Sequence, residues 1–318
     1  MKTINLIKSL GLLCLASPFV LVKASNECES FLKIFEDKSS LCTCEVNDQG
    51  KINYLNVNDM DLTESDINKM MSYDTITELV YVLNMDSDHK HPGYGKFPLF
   101  SKLKNLKSLI IEYNDYYDEK NGLITIPKNN LEGLSKLETL IFDGIKINQD
   151  CIDIISTFTN LKSLVLAKNT NGYHDSKGIF PINLVKALDG QVKNLTIGLE
   201  SKTVNLKKMS GLKECHIHYE RMPTTNLADV NLTLPESNNF NSLKLDVNTY
   251  EDGPITLNVD LTKFKNLKSL DLNEIKITKD VISKISKLTN LNELEFGYYT
   301  FDASLLDQLK TLKNLTSM

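Results

Sequence analysis

The sequence predicts an α/β solenoid with a curved parallel β-sheet on its concave face and mixed helical and extended segments on its convex face. The pentapeptide NLKSL occurs three times, at 105–109, 160–164 and 266–270. Its surroundings repeat as well, and they belong to a frame L-x-x-L-x-L that recurs every 20 to 31 residues through most of the 318-residue chain. A period in this range indicates stacked supersecondary units that share one core.

The repeat frame predicts one short strand per unit, because its last residues alternate apolar and polar. A single strand cannot bury its apolar face, but strands stacked about 4.8 Å apart form a parallel sheet over a common aliphatic core. An eleventh, incomplete copy is assigned to Leu312 and Leu315. The ten complete frames begin at Ile52, Ile76, Leu106, Leu137, Leu161, Val192, Leu212, Phe240, Leu267 and Leu291.

The segments between strands are predicted to be of two kinds. In the first kind, an Asn occupies the ninth frame position, and three of its four copies continue with a Gly and an apolar-Pro pair such as Phe97-Pro98. In the second kind, Thr63, Asn148 or Thr278 precedes acidic residues and an apolar run, a pattern typical of a capped helix. The Asn residues of the first kind are Asn84, Asn114, Asn169 and Asn248.

This frame resembles the leucine-rich repeat, over residues 52–318. The Gly, apolar and Pro signature resembles the plant-specific class, which includes secreted inhibitors of cell-wall polysaccharidases and receptor ectodomains. The resemblance implies a non-catalytic protein whose partner is a protein ligand, such as a secreted glycoprotein or a glycoside hydrolase.

Residues 1–24 have the pattern of a signal peptide. Lys2 and Lys8 precede an apolar run of about 13 residues, and Val22-Lys23-Ala24 fits a signal-peptidase site. That run is too short to cross a membrane, and no second long apolar run follows. We therefore expect a secreted, extracellular or cell-wall protein with no membrane span.

Residues 25–51 are predicted to form an N-terminal cap that is held by a disulfide. Cys28 is expected to pair with Cys42 or Cys44, and the sequence does not distinguish between them. The segment resembles the family's cap but lacks its fourth cysteine and its Trp. Cys151 and Cys215 are interpreted as structural buried thiols.

At the other end of the chain, no cysteine-rich cap follows Leu315. The last strand would then be an open edge, which is a template for pairing with another chain. Either a homodimer contact covers this edge or the sequence is a fragment.

Charge and composition exclude one class of partner. The chain carries a net charge of −5, and its single Arg is Arg221. Because Arg supplies the fork of donors that grips phosphates, nucleic acid is not an expected partner.

Side chains at the third, fifth and seventh frame positions should point onto the concave face. Four successive fifth positions are β-branched and apolar, and they are flanked by Glu112 and Asp143; they are Val80, Ile110, Ile141 and Val165. Such a patch marks a contact site, although β-branched residues also favour strands for their own sake. A rim of loop tyrosines is expected to extend the site, and it includes Tyr113, Tyr116, Tyr117 and Tyr173.

Other candidates carry weaker signals. His216 and His218 share one face of a strand and are a weak metal candidate, but Lys244 is expected opposite His216, where it would repel a cation. No nucleophile-and-base motif occurs, so we expect neither an enzyme nor a cofactor. Three N-x-[ST] sequons predict glycosylation at Asn194, Asn231 and Asn314.

These observations predict a secreted, non-catalytic recognition protein that binds a protein ligand through its concave face and tyrosine rim. The alternative is a structural or adhesion component of the cell surface or wall. An inhibitor of secreted glycoside hydrolases is a less favoured third possibility. Fold alone does not decide among them.

Overall fold

The structure is a computed structural model, and it confirms the predicted α/β solenoid of leucine-rich repeats. The N-terminal segment 1–24, the turn residues Asn84, Asn114, Asn148 and Asn169, and the loop tyrosines Tyr116, Tyr117 and Tyr173 lie outside the part of the chain that the structure describes. The described residues are 26–33, 42–59, 62–83, 97–113, 124–146, 149–167, 188, 190–199, 203–220, 229–248, 254–297 and 302–318.

Within these residues the chain forms sixteen strands, eleven of which belong to one sheet. The order in that sheet is β1-β2-β3-β4-β6-β8-β9-β11-β13-β15-β16, and every pair is parallel except β1 with β2. The strands are β1 (Cys42–Val46), β2 (Ile52–Asn58), β3 (Glu78–Leu83), β4 (Ser108–Tyr113), β5 (Ile124–Thr125), β6 (Thr139–Asp143), β7 (Ile145–Lys146), β8 (Ser163–Ala167), β9 (Asn194–Leu199), β10 (Thr203–Asn205), β11 (Glu214–Glu220), β12 (Asp229–Thr233), β13 (Ser242–Asn248), β14 (Thr256–Asn258), β15 (Ser269–Asn273) and β16 (Glu293–Gly297).

The repeat frame sets the register of this sheet. The fourth frame residue of each repeat pairs with the fourth residue of the next, as Leu109 does with Leu140 and Leu140 with Leu164. All three are fully buried. Burying one such aliphatic side chain stabilises the fold by roughly 1.5–3 kcal/mol, so each repeat is held mainly by its neighbours.

The segments that return from one main strand to the next are of mixed structure, as predicted. They contain two small parallel sheets, β5-β7 and β10-β12-β14. Single turns of 3₁₀ helix occur at Phe100–Lys102 and Leu261–Lys263, and a longer one at Ala303–Thr311. The helices are α1 (Asn26–Leu32), α2 (Glu64–Met70), α3 (Lys128–Leu131), α4 (Gln149–Ile155) and α5 (Lys279–Ile285).

Two of the three predicted N-caps are confirmed. The Thr63 side chain accepts a hydrogen bond from the Asp66 N–H, and the Asp66 carboxylate accepts one from the Thr63 N–H, which makes a capping box at the start of α2. The Thr278 hydroxyl accepts from the Val281 N–H at 3.3 Å at the start of α5. These bonds satisfy N–H groups that the first helical turn leaves without partners.

The N-terminal end of the core is covered by α1 and β1. The structure pairs Cys28 with Cys44, one of the two options that the sequence left open. Burial raises the pKa of the free Cys42 thiol to about 12. Phe31 of α1 is buried, and its ring packs edge-on against Tyr73 at 5.7 Å between centroids. The cap therefore seals the first repeat with both a covalent bond and apolar contacts.

The eleventh frame is placed three residues away from its predicted register. The Thr316 N–H donates to the Asn292 carbonyl at 2.8 Å, just as the Asn292 N–H donates to the Lys268 carbonyl at 2.8 Å one repeat earlier. Leu315 is thus equivalent to Leu291 and occupies the first frame position, not the fourth. Residues 316–317 also pair with the outer edge of β16, so β16 is not an open edge. A homodimer contact at this end stays a prediction.

Candidate functional site

Four apolar side chains lie side by side across the concave face, and we call them the concave stripe. Val80, Ile110, Ile141 and Val165 are direct register partners on β3, β4, β6 and β8. Their strand neighbours on either side, such as Leu109 and Ile111, point into the core. Strand alternation therefore places the stripe on the opposite face of the sheet, as the sequence predicts.

The stripe is less exposed than its sequence suggests. Val80 and Ile110 are half-buried, whereas Ile141 is only 2% exposed and Val165 8% exposed. Neither Ile141 nor Val165 belongs to the main core cluster. The expectation of four exposed apolar rungs is thus corrected, and Val80 and Ile110 are the two that offer accessible apolar surface in the free protein.

Two carboxylates lie beside the stripe, and we call them the acidic pair. Glu112 on β4 is the register partner of Asp143 on β6. The pKa of Asp143 is raised to about 6, because burial and the nearby charge of Glu112 raise it more than a hydrogen bond from the Gly144 backbone lowers it. Burial also raises the pKa of Glu112. Neither carboxylate forms an ion pair with a Lys or Arg of the described chain.

The tyrosine rim loses one of its predicted members. Tyr113 is the register partner of Leu83 and is 8% exposed, and both side chains belong to the core cluster. Tyr113 therefore packs inward from the end of β4 and does not extend the concave site. Tyr116, Tyr117 and Tyr173 lie outside the described residues, so the rest of the rim stays a prediction.

The fifth and seventh positions farther along the sheet hold ionisable side chains. His216 on β11 is 7% exposed, and within the described residues neither of its ring nitrogens has a hydrogen-bond partner. Burial and, to a smaller extent, the adjacent charge of Lys244 lower the pKa of His216 to about 4. The imidazole is therefore neutral near pH 7. It lies directly opposite Lys244, as the sequence predicts.

The neighbours of His216 interact with one another. The Lys244 ammonium forms an ion pair with Asp271, although burial outweighs this contact and raises the pKa of Asp271. Burial also acts to raise the pKa of Asp246, but the nearby His218 imidazole, the Asn273 amide that donates a hydrogen bond to this carboxylate, and the charge of Lys244 outweigh it and hold this pKa below its usual range. Asp246 Oδ2 lies 3.6 Å from His218 Nδ1.

The weak metal candidate gains no third ligand in the described part of the chain. No group of three or more His, Cys, Asp or Glu side chains is close enough there to hold a metal ion. His216 and His218 are two imidazoles on one strand face, and a structural or catalytic zinc site needs at least three protein ligands.

Sequence reasoning missed the role of the Asn in NLKSL. Asn160 donates from its side-chain amide to the Ser135 carbonyl at 2.8 Å, one repeat earlier, and Asn266 donates to the Asn238 carbonyl at 3.0 Å. Each bond ties one repeat to the backbone of the previous one, so the recurrence of this Asn was the available signal. We call the set the asparagine ladder: Asn105, Asn160, Asn266, Asn290 and Asn314.

The three sequons occupy different surroundings. Asn194 is exposed at the start of β9, at a third frame position of the concave face. Asn231 is exposed on β12, the middle strand of its small sheet. Asn314 is a member of the ladder and donates to the Thr289 carbonyl at 2.9 Å. A glycan at Asn314 would crowd this inter-repeat bond; glycosylation at all three stays a prediction.

The described residues include no helix that is long and apolar enough to cross a membrane.

Cys151 on α4 and Cys215 on β11 are buried and belong to no disulfide, as predicted, and the Cys151 thiol donates to the Ile126 carbonyl at 3.3 Å.

No protein-family model and no curated protein matches this chain. Solved structures similar to it include an internalin, InlF, from Listeria monocytogenes, with 14% sequence identity, a TM-score of 0.40 and coverage of 83% of this chain and 86% of that one. The plant peptide hormone receptor RGFR1, in complex with RGF2, has 16% identity, a TM-score of 0.39 and coverage of 78% and 40%. TLR13, in complex with ssRNA13, has 16% identity, a TM-score of 0.37 and coverage of 83% and 46%. This chain spans less than half the length of the last two.

Proposed function

We propose that this chain is a secreted, non-catalytic recognition protein that binds a protein ligand at the concave stripe and the acidic pair. The observation that carries the proposal is the juxtaposition of accessible apolar side chains, Val80 and Ile110, with two carboxylates of raised pKa, Glu112 and Asp143. Charges held in surroundings that disfavour them are typical of functional sites.

The chemistry of this surface selects the partner. A Lys or Arg of a ligand would relieve the repulsion between Glu112 and Asp143, and an apolar side chain beside it would cover Val80 and Ile110. The ligand is therefore a protein segment that presents a basic residue next to an aliphatic or aromatic one. We propose a secreted glycoprotein or hydrolase as the source of such a segment. The proposal also includes the plant-specific subclass of repeats and a signal peptide at residues 1–24.

The test begins with capture of partners from the extracellular protein fraction of the producing cells, followed by purification of the captured protein. Calorimetric titration then measures its affinity for the wild type and for Ile110→Lys. We expect the substitution to weaken binding about tenfold or more, because the new ammonium removes apolar contact and occupies the acidic pair. Affinity should also fall below pH 6, as Asp143 takes up a proton.

The matched control is Ser269→Lys, which introduces the same side chain onto the concave face of β15, away from the stripe. It should leave the affinity within about twofold, which is close to experimental error in free energy. Equal loss in both variants, or unchanged binding in Ile110→Lys, would contradict the proposal.

A further inference from the structure

A second surface lies at the start of the main strands, away from the concave stripe. The residues concerned occupy the second position of each repeat frame, directly after the frame's first apolar residue. The backbone N–H of each one donates to the carbonyl of its equivalent in the preceding repeat. The Lys193 N–H donates to the Lys162 carbonyl, the Lys213 N–H to the Lys193 carbonyl, and both bonds are 2.7 Å long. The same bonds continue back through Glu138 and Lys107, and we call the part of the set that follows Glu138 the strand-start row: Lys162, Lys193, Lys213, Asn241, Lys268 and Asn292.

The hydrogen bonds fix the spacing of the row. Neighbouring strands of a sheet lie about 4.8 Å apart, so the row presents one side chain per repeat at that interval. All six side chains point to solvent, fully or in part. The result is a line of side chains whose order and spacing the solenoid determines, not a random scatter of surface lysines.

The positive charges of this row are largely uncompensated. Lys162 forms an ion pair with Glu138 on the preceding repeat. By contrast, no ion pair joins Lys193, Lys213 or Lys268 to any carboxylate among the residues that the structure describes. The strand-start row is thus a positively charged strip on the surface of a protein whose net charge is negative.

A groove of about 540 Å³ adjoins the row between the repeats of β11 and β16. It is lined by two lysines of the row, Lys213 and Lys268, and by seven asparagines, which include Asn241 and Asn292 of the row. Asn266, Asn290 and Asn314 of the ladder form part of its wall and are held in place by their inter-repeat bonds, so a ligand can enter this part of the groove only where Asn314 carries no glycan. The part of the lining that the structure describes therefore offers ammonium groups, amide N–H donors and amide carbonyl acceptors, and no aromatic or aliphatic residue.

We propose that the strand-start row and its groove bind an extended acidic polysaccharide. Such a polymer carries carboxylates or sulfates at regular intervals, which suit a line of ammonium groups, and it carries hydroxyls between them, which suit amides that both donate and accept hydrogen bonds. Nucleic acid is the less suitable polyanion here. Its single strands are bound through stacking on aromatic side chains, and its phosphates are gripped by Arg, and the described residues of the lining include neither.

The test uses two acidic polysaccharides, alginate and heparin, with the neutral polymer dextran for comparison. Affinity electrophoresis at low salt should show retardation of the wild type by alginate and heparin but not by dextran. The double variant Lys213→Gln with Lys268→Gln should bind about tenfold more weakly, because two uncompensated charges are lost. Its retardation should also depend less steeply on salt, since fewer counterions are released on binding.

The matched control is Lys276→Gln with Lys279→Gln, which removes the same charge from exposed lysines that do not line the groove. This control should bind as the wild type does, and thermal melting should show that both double variants are folded. The proposal is overturned by absence of retardation, by equal weakening in the two double variants, or by an oligo-thymidylate that displaces alginate at lower concentration than heparin does. Because the concave stripe is intact in both variants, capture of its protein ligand tests the other surface separately.

Discussion

Asp143 on β6 and Asp246 on β13 occupy the same seventh frame position on the concave face, but their surroundings differ. Asp143 lies beside another carboxylate, Glu112, and its pKa is raised to about 6. Asp246 accepts a hydrogen bond from Asn273 and lies 3.6 Å from the His218 imidazole, and its pKa is lowered. One half of the face therefore holds two carboxylates that form no ion pair among the described residues, and the other half pairs its charges internally.

The fifth position differs between the halves in the same way. Ile141 on β6 and His216 on β11 are both buried, at 2% and 7% exposure. The Ile141 side chain is apolar and carries no charge, whereas His216 is an imidazole whose lowered pKa keeps it neutral near pH 7. The frame thus fixes where a side chain points, while its neighbours on adjacent strands decide whether its charge is paired within the fold.

The substitution His216→Val makes the fifth position of β11 apolar, like that of β6. We expect it to change the pH dependence of the unfolding free energy more than any other substitution proposed below. The folded-state pKa of His216, about 4, lies below the ordinary value of 6.5. The unfolded chain thus takes up the proton first, and wild-type stability is lost as pH falls from 6.5 towards 4. This loss amounts to about 3 kcal/mol and should be absent in the variant.

Urea unfolding at several pH values between 7 and 4 would measure the effect. Because all other titrating groups are common to the two proteins, the difference in their unfolding free energies isolates residue 216. We expect the variant to gain on the wild type throughout this range as pH falls. A difference that does not change with pH would show that His216 titrates normally and that the two halves are not distinguished at this position.

The next effect concerns the seventh position and has opposite signs in the two halves. The raised pKa of Asp143 means that its ionised form destabilises the fold, so Asp143→Asn should raise the unfolding free energy at pH 7 by about 1–2 kcal/mol, after a discount for partial exposure. This gain should disappear as pH falls through 6 towards 3.8, because wild-type Asp143 then becomes protonated.

The matched substitution is Asp246→Asn. The pKa of Asp246 is lowered, so its ionised form stabilises the fold, and its loss should reduce the unfolding free energy at pH 7. The same urea titrations measure both variants. Shifts of the same sign in Asp143→Asn and Asp246→Asn would remove the distinction between a half with unpaired carboxylates and a half that pairs its charges internally.

The sequence predicts much of this fold, because repeated patterns determine it. The frame places ten strands in register, and Thr63 and Thr278 begin helices as their neighbours indicate. The eleventh copy was misplaced because L-x-x-L occurs twice in each repeat, as in Leu288 to Leu291 and Leu291 to Leu294. Only the strand that follows shows which copy starts the frame, and at Leu315 the chain is too near its end for that strand to be read.

The site is less predictable, because burial and pairing depend on contacts between repeats. Alternation alone cannot choose between Cys42 and Cys44, which are two residues apart on one strand face; the position of α1 decides. The sequence places Tyr113 in a loop, because no residue pattern marks the end of β4. Tyr113 lies two residues after Ile111, however, so strand alternation directs both side chains to the core. The coverage of Ile141 and Val165 depends on side chains of neighbouring strands, which no local pattern specifies.

We expect the hydrogen bonds of the asparagine ladder to contribute equally to stability in the two halves of the sheet, and their loss to have the smallest effect. Asn160 precedes a strand of the apolar half and Asn266 a strand of the polar half, and both donate to a carbonyl of the previous repeat at 2.8 and 3.0 Å. Since one exposed hydrogen bond is lost in each case, Asn160→Ala and Asn266→Ala should each cost about 1 kcal/mol. Asn292→Ala is the control, because its side chain makes no hydrogen bond within the described residues, and it should cost less than about 0.5 kcal/mol. Chemical unfolding of the three variants would measure these losses. Equal losses for Asn160→Ala and Asn266→Ala would show that the ladder is a feature of the repeat. A clear inequality would mean that the two halves differ in how their repeats are joined as well as in how they hold charge.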